Sequence, residues 1–170
     1  MTRRKIAFIL YALALIGGAI LVWQVFFPGE KTRIIRRLNS AADAVGIAPG
    51  ESGPTVIAKL HRLESLLDAE VECRLRFGRE RWEGTFERPR ALSALAAFRR
   101  SGAKVKVGLS EFRVTVSGDS AQVTAEAQAD IDSGGGKWKE SRQLDVEFGL
   151  VRRNGEWLIR RIALRDFMEK

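Results

Sequence analysis

The 170-residue chain has one cysteine, one histidine and one tyrosine, with only four prolines and two methionines. A single cysteine, Cys73, excludes an intramolecular disulfide, a cysteine-rich zinc site and an iron–sulfur cluster. A single histidine, His61, excludes any site drawing two imidazoles from one chain. Hydrophobic residues are not scarce: at 45 % they suffice for a core and exclude wholesale disorder. The length suits one domain of ordinary size.

Charge is absent from one long run. From Ile6 to Phe27 the chain carries 22 residues without a charged side chain. A hydrocarbon layer of about 30 Å needs roughly 20 helical residues, so the run is long enough to span a bilayer. Trp23 suits the far interface, and Pro28-Gly29 stops the helix. A cleaved signal peptide needs a shorter apolar stretch and a small-x-small site; this run instead ends in Val22, Trp23, Gln24, Val25, Phe26 and Phe27. A buried core helix needs a polar face, which the run lacks. The expectation is an uncleaved, single-pass signal anchor. Arg3, Arg4 and Lys5 favour a cytoplasmic N-terminus. Lys31, Arg33, Arg36 and Arg37 argue the other way, but they belong to a long domain, and long domains translocate largely regardless of charge. The division expected is an N-terminal tail at 1–5, an anchor at 6–27 and a domain at 28–170. The domain is placed on the extracytoplasmic side of the inner membrane.

The net charge is +8, from 29 basic and 21 acidic residues. Residues 28–110 carry 16 basic and 10 acidic side chains, whereas residues 111–170 carry 10 and 11. The excess therefore lies near the membrane. Lys31, Arg33, Arg36 and Arg37 are candidates to meet anionic lipid headgroups, at roughly 1 kcal/mol for each basic residue near the surface. No stacking series of aromatics accompanies the basic residues, so no nucleic-acid partner is expected.

Past the run, helices precede strands. Ile34, Ile35, Leu38, Ala41, Ala42 and Val45 recur at helical spacing, and Gly46 with Pro49-Gly50 ends that helix. Pro54 opens a second, with Val56, Ile57, Leu60, Leu63, Leu66 and Leu67 as its stripe. Val71, Cys73, Leu75 and Phe77 alternate as in a half-buried strand. Residues 78–84 read as a charged turn region. Pro89 begins a third helix with Leu92, Leu95, Ala96 and Phe98 near one side, stopped by Ser101-Gly102. Four long strands follow, with a register shift and hence a bulge near Ser110. Turns are expected at Gly118-Asp119, at 133–136, and at Asn154-Gly155, where a type I′ hairpin needs positive φ twice. The class is α+β, because helices and strands segregate.

Leu66-Leu67-Asp68-Ala69-Glu70-Val71, Gly84-Thr85-Phe86 before Pro89, and the closing stretch from Phe148 through Asn154-Gly155-Glu156-Trp157-Leu158-Ile159 carry a resemblance. Together they resemble the nuclear transport factor 2 (NTF2)-like superfamily, a cystatin-like α+β cone that includes SnoaL-like and ketosteroid-isomerase-like domains. The resemblance covers about residues 30–167. It implies three helices on a curved antiparallel sheet, here behind one transmembrane helix. It also implies an enclosed pocket in the cone and frequent pairing through the sheet. Family members on a single membrane helix also serve as inner-membrane scaffolds in type IV secretion.

The departures bear on chemistry. Isomerases of the family use a tyrosine in the oxyanion hole, but Tyr11 lies in the apolar run. Dehydratases use histidine with carboxylate, but His61 sits on an amphipathic helix. His61, Glu64 and Cys73 follow no recognised ligand spacing, so no metal or other cofactor is expected. Cys73 reads as a small buried hydrophobe. No catalytic residue is assigned. Ala125, Ala127 and Ala129 place small side chains on one face of a central strand, and Phe112, Val114, Phe148 and Trp157 are large residues expected to face inward beside them. These seven are the candidate lining of a pocket for a small apolar ligand. The alternative is that helix side chains fill the space. The function expected is a membrane-anchored, non-catalytic module. Its partners would be the bilayer through 6–27, a second copy or another membrane protein, or an apolar ligand. The competing function is an isomerase or dehydratase using a buried carboxylate on an apolar substrate.

Overall fold

The computed structural model describes residues 29–77, 80–100, 104–132 and 139–165. Among these, no helix is long and apolar enough to cross a membrane. The run at 6–27 lies outside the described residues, as do the expected turn at 133–136 and the Ser101-Gly102 stop.

Three helices are present: α1 (Glu30–Val45), α2 (Gly53–Leu66) and α3 (Arg88–Arg99). On α1, Ile34, Leu38 and Ala41 fall at i, i+4 and i+7 and are buried. Ser52 caps α2 by accepting the Thr55 amide at 3.4 Å, and Pro54 occupies the first turn, where its missing N–H costs nothing. Of the stripe expected for the second helix, Leu63, Leu66 and Leu67 are buried, Leu67 lying just past the end of α2; Ile57 stands 58 % exposed. Phe98 of α3 is 46 % exposed, and no α3 residue is fully buried. Both aromatic and branched side chains were expected inward; the sheet offers these two helices less depth than α1, so only part of each apolar stripe is covered.

Six strands form one sheet in the order β2-β1-β6-β5-β4-β3. They are β1 (Leu67–Phe77), β2 (Glu80–Glu87), β3 (Lys104–Ser117), β4 (Ser120–Asp132), β5 (Lys139–Arg153) and β6 (Glu156–Arg165). The strand β2 replaces most of the turn expected at 78–84. Its charged residues are tolerated because it is an edge strand with one neighbour, antiparallel to β1. The remaining difference is at β1, which pairs in parallel with β6. The last four strands form the expected antiparallel meander. The β3–β4 register shifts between Ser110 and Arg113, and Glu111 has φ 51°. That is the bulge implied by the change of phase. At the closing hairpin Asn154 has φ 51° and Gly155 φ 80°, as a type I′ turn requires.

One sheet face meets the helices. Ile34, Leu38, Val71, Val123 and Ile159 are the largest fully enclosed side chains. The other face carries residues such as Thr124, Glu126, Gln128, Asp145 and Glu147, in register across β4 and β5.

Candidate functional site

An open cleft of about 720 Å³ is within the range of small-ligand sites. It lies where α1 ends and where β3 starts, β4 ends and β5 starts. Ala42, Ile47, Pro49, Val105, Val107 and Ile131 supply its apolar lining; Asp43, Lys59, Lys104, Asp130 and Glu140 supply charge. The chain reaches this place because Gly46 terminates α1 and Ile47 then pairs with the edge of β3. The Ile47 amide donates to the Val105 carbonyl at 2.7 Å, and the Val105 amide returns a bond at 3.1 Å. Gly46 fits tightly there: a Cβ would come within 3.3 Å of the Asp43 carbonyl oxygen. A smaller recess of about 240 Å³ adjoins, sharing Ile47, Ala48, Pro49 and Lys104 and adding Glu51, Val56 and Arg99.

Beneath that recess lies a buried ionic cluster. Arg99 Nη1 donates to Glu51 Oε2 at 2.8 Å, and Lys59 Nζ to Glu51 Oε1 at 2.5 Å. The Arg99 and Glu51 side chains are 5 % and 8 % exposed. The same guanidinium donates to the carbonyls of Ala44 and of Gly46 (3.1 Å), and Lys59 donates to Gly46 at 3.0 Å. Two cations thus satisfy the orphan carbonyls at the C-terminus of α1, where the helix dipole favours positive charge. Burial pushes the Glu51 carboxyl up. The Lys59 hydrogen bond, the Ala48 amide and the charges of Lys59 and Arg99 outweigh that and hold it below its usual value.

The second buried carboxylate is Asp68 at the start of β1, 4 % exposed. It accepts from Arg153 Nε at 2.9 Å and Nη2 at 3.2 Å, and from the Ala69 amide at 2.9 Å. A general base for an apolar substrate needs a carboxyl raised toward neutrality by burial. Glu51 is shifted the opposite way, and Asp68 already holds a guanidinium.

At the other end of α1, Glu30 accepts Trp157 Nε1 at 2.6 Å and Arg152 Nη1 at 2.9 Å. Arg152 lies over the Trp157 ring, 5.4 Å from its centroid, and donates Nε to Asp119 at 2.9 Å. The first helical turn is thereby tied to the β3–β4 and β5–β6 hairpins. Nearby, Arg37 pairs with Glu156, and burial lowers the pKa of its guanidinium. Lys31, Arg33 and Arg36 are exposed.

The seven candidate lining residues do not line the cleft, although Ala129 pairs with Val107 at its edge. Ala125, Ala127, Phe148 and Trp157 belong to the buried core; Phe112 and Val114 pack against it, and Ala129 is half-buried. None of the seven lines either recess described above. His61 is exposed, with Nδ1 3.5 Å from Glu64 one turn on. Among the described residues no group of three ligand-type side chains is placed to hold a metal. Cys73 is half-buried, and burial, then the Glu72 charge, raises its thiol pKa. Sequence reasoning passed over Glu51, Lys59 and Arg99. Arg99 and Glu51 lie 48 residues apart, and no local spacing marks them as partners.

No family model and no curated protein matches the sequence. Solved structures do match in shape. A candidate scytalone dehydratase from Novosphingobium aromaticivorans superposes with TM-score 0.63 at 14 % identity, over 80 % of this chain and 83 % of its own. A candidate aromatic ring hydroxylase from the same organism gives 0.65 at 14 %, over 82 % and 90 %. A candidate dehydratase of the NTF2-like family from Streptomyces avermitilis gives 0.60 at 14 %, over 79 % and 94 %. The fold is therefore the NTF2-like α+β cone, with three helices on a six-stranded curved sheet. That fold hosts many activities, so shape alone assigns none of them to this chain.

Proposed function

We propose that the chain is a membrane-anchored, non-catalytic NTF2-like module. In this reading 6–27 crosses the inner membrane once, and the domain stands on the extracytoplasmic side. It binds a protein partner or an apolar ligand at the cleft between the α1 C-terminus and the β3–β5 ends. The observation that carries the reading is the state of the buried acids: Glu51, in the recess adjoining the apolar-lined cleft, and Asp68, at the start of β1 and away from it, are each held by basic partners. The cleft offers apolar burial and fixed charge for recognition, and the two buried acids are already committed to basic partners.

Photo-crosslinking of the full chain in membranes tests this. A photoreactive residue at Val107 in the cleft is expected to give a discrete protein or small-molecule adduct. The same residue at Gln128, on the opposite sheet face, is expected to give none. Equal or absent adducts at both positions count against the cleft. Turnover of an enolisable or hydroxylated apolar substrate, abolished by Asp68→Asn or Glu51→Gln with the fold retained, would establish the isomerase or dehydratase reading instead.

A further inference from the structure

The chain leaves little room between the apolar run and the domain. Phe27 and Glu30 are three residues apart, so their Cα atoms lie within about 11 Å of each other in any conformation. Glu30 is in turn locked to Trp157 and Arg152, and through Arg152 to Asp119. The tips at 118–119 and 154–155 therefore belong to the same end of the molecule as the chain's entry into α1. Lys31, Arg33 and Arg36 project from the first two turns of α1, exposed and in no ion pair among the described residues. Arg37, grouped with them on sequence, is turned to Glu156 instead. The cleft lies at the far end of α1, whose 16 residues span about 24 Å.

We propose that this end of the domain is a bilayer-docking surface. The start of α1 and the hairpin tips at 118–119 and 154–155 rest on a headgroup layer containing anionic lipid, while the cleft opens to the aqueous phase. The occupant follows from two observations: the short tether and three exposed cations beside its attachment that make no ion pair among the described residues. Each such cation near an anionic surface strengthens attachment about fivefold. The headgroup layer is roughly 5–8 Å deep on each side, comparable to the reach of the tether. This inference rests on the anchor reading of 6–27.

The test uses the full chain in vesicles of zwitterionic lipid with about a quarter anionic lipid. In a Cys73→Ala background, a fluorophore is placed singly at Asp119→Cys, Asn154→Cys or Ala58→Cys, and lipid with a spin-labelled headgroup serves as quencher. Labels at 119 and 154 are expected to be quenched, and the label at 58 is not. Charge reversal at Lys31, Arg33 and Arg36 together, or omission of anionic lipid, is expected to lower quenching at both tips. Protein that stays with the vesicles at alkaline pH but shows unquenched tips, or equal quenching at 58, overturns the docking surface alone. Protein released from the vesicles at alkaline pH overturns the anchor and, with it, the docking surface.

Discussion

Replacing Arg99 by methionine removes a side chain that joins three parts of the domain. The guanidinium is 5 % exposed, lies 2.8 Å from Glu51, and caps carbonyls at the end of α1. Methionine keeps much of the volume, so the loss is electrostatic and hydrogen-bonding rather than a cavity. Glu51 keeps Lys59, so the variant removes one of its two cations together with the guanidinium's bonds to the helix-end carbonyls, a loss of about 1.5–3 kcal/mol. For a domain of this size that is a fall in Tm of roughly 5–10 °C. The assay is thermal and urea unfolding of the full chain in detergent, followed by tryptophan fluorescence. Glu51→Gln is the companion. Because the two groups share one interaction, the double variant should cost about 1–3 kcal/mol less than the sum of the singles. The pH dependence has a definite sign. The folded-state pKa of Glu51 is depressed, so its contribution is present above the ordinary value of 4.5 and is lost as the pH falls through the lower folded value. In Arg99→Met the depression shrinks, and acid unfolding should begin at higher pH. A cost under about 1 kcal/mol, or simple additivity of the two variants, would refute the reasoning.

Ala127→Leu tests whether the interior is filled. Ala127 is 6 % exposed, and overpacking a filled core costs about 1–3 kcal/mol, whereas an open pocket accepts the larger side chain with no loss of stability. Glu30→Gln should weaken a charge-assisted pair of bonds by roughly 1.5–3 kcal/mol and change the near-UV signal of Trp157; an unaltered spectrum and stability would show that the junction is not held by this carboxylate. Gly155→Val places a β-branched residue at φ 80° and should destabilise the hairpin by about 1–2 kcal/mol in urea unfolding. Cys73 should react with a soluble thiol reagent at pH 8 several times more slowly than a free thiol, because burial raises its pKa and limits access; reaction at the free-thiol rate would contradict the placement.

Sequence periodicity alone was enough to place the three helices, the bulge near Ser110, the Asn154-Gly155 turn and the four-strand meander. Each depends on neighbours within a few residues: a stripe at 3.6, an alternation of two, a pair of positive φ angles. The edge strand β2 was hidden because its charged residues resemble a turn, and only pairing with β1 makes it a strand. The parallel β1–β6 contact joins Cys73 to Ile162, and no local pattern announces a partner so far along the chain. The small side chains at Ala125 and Ala127 were visible as a possible pocket, yet the cleft lies elsewhere. Its lining is assembled from the end of α1 and the starts and ends of three strands. Scarcity of histidine and tyrosine, read from the sequence, removed the catalytic sets of the resembling enzymes. The tertiary structure alone decided that Glu51 and Asp68 are buried against arginine and lysine. The energy of a buried charge depends on what surrounds it in space, and its partners here are 8 to 85 residues away.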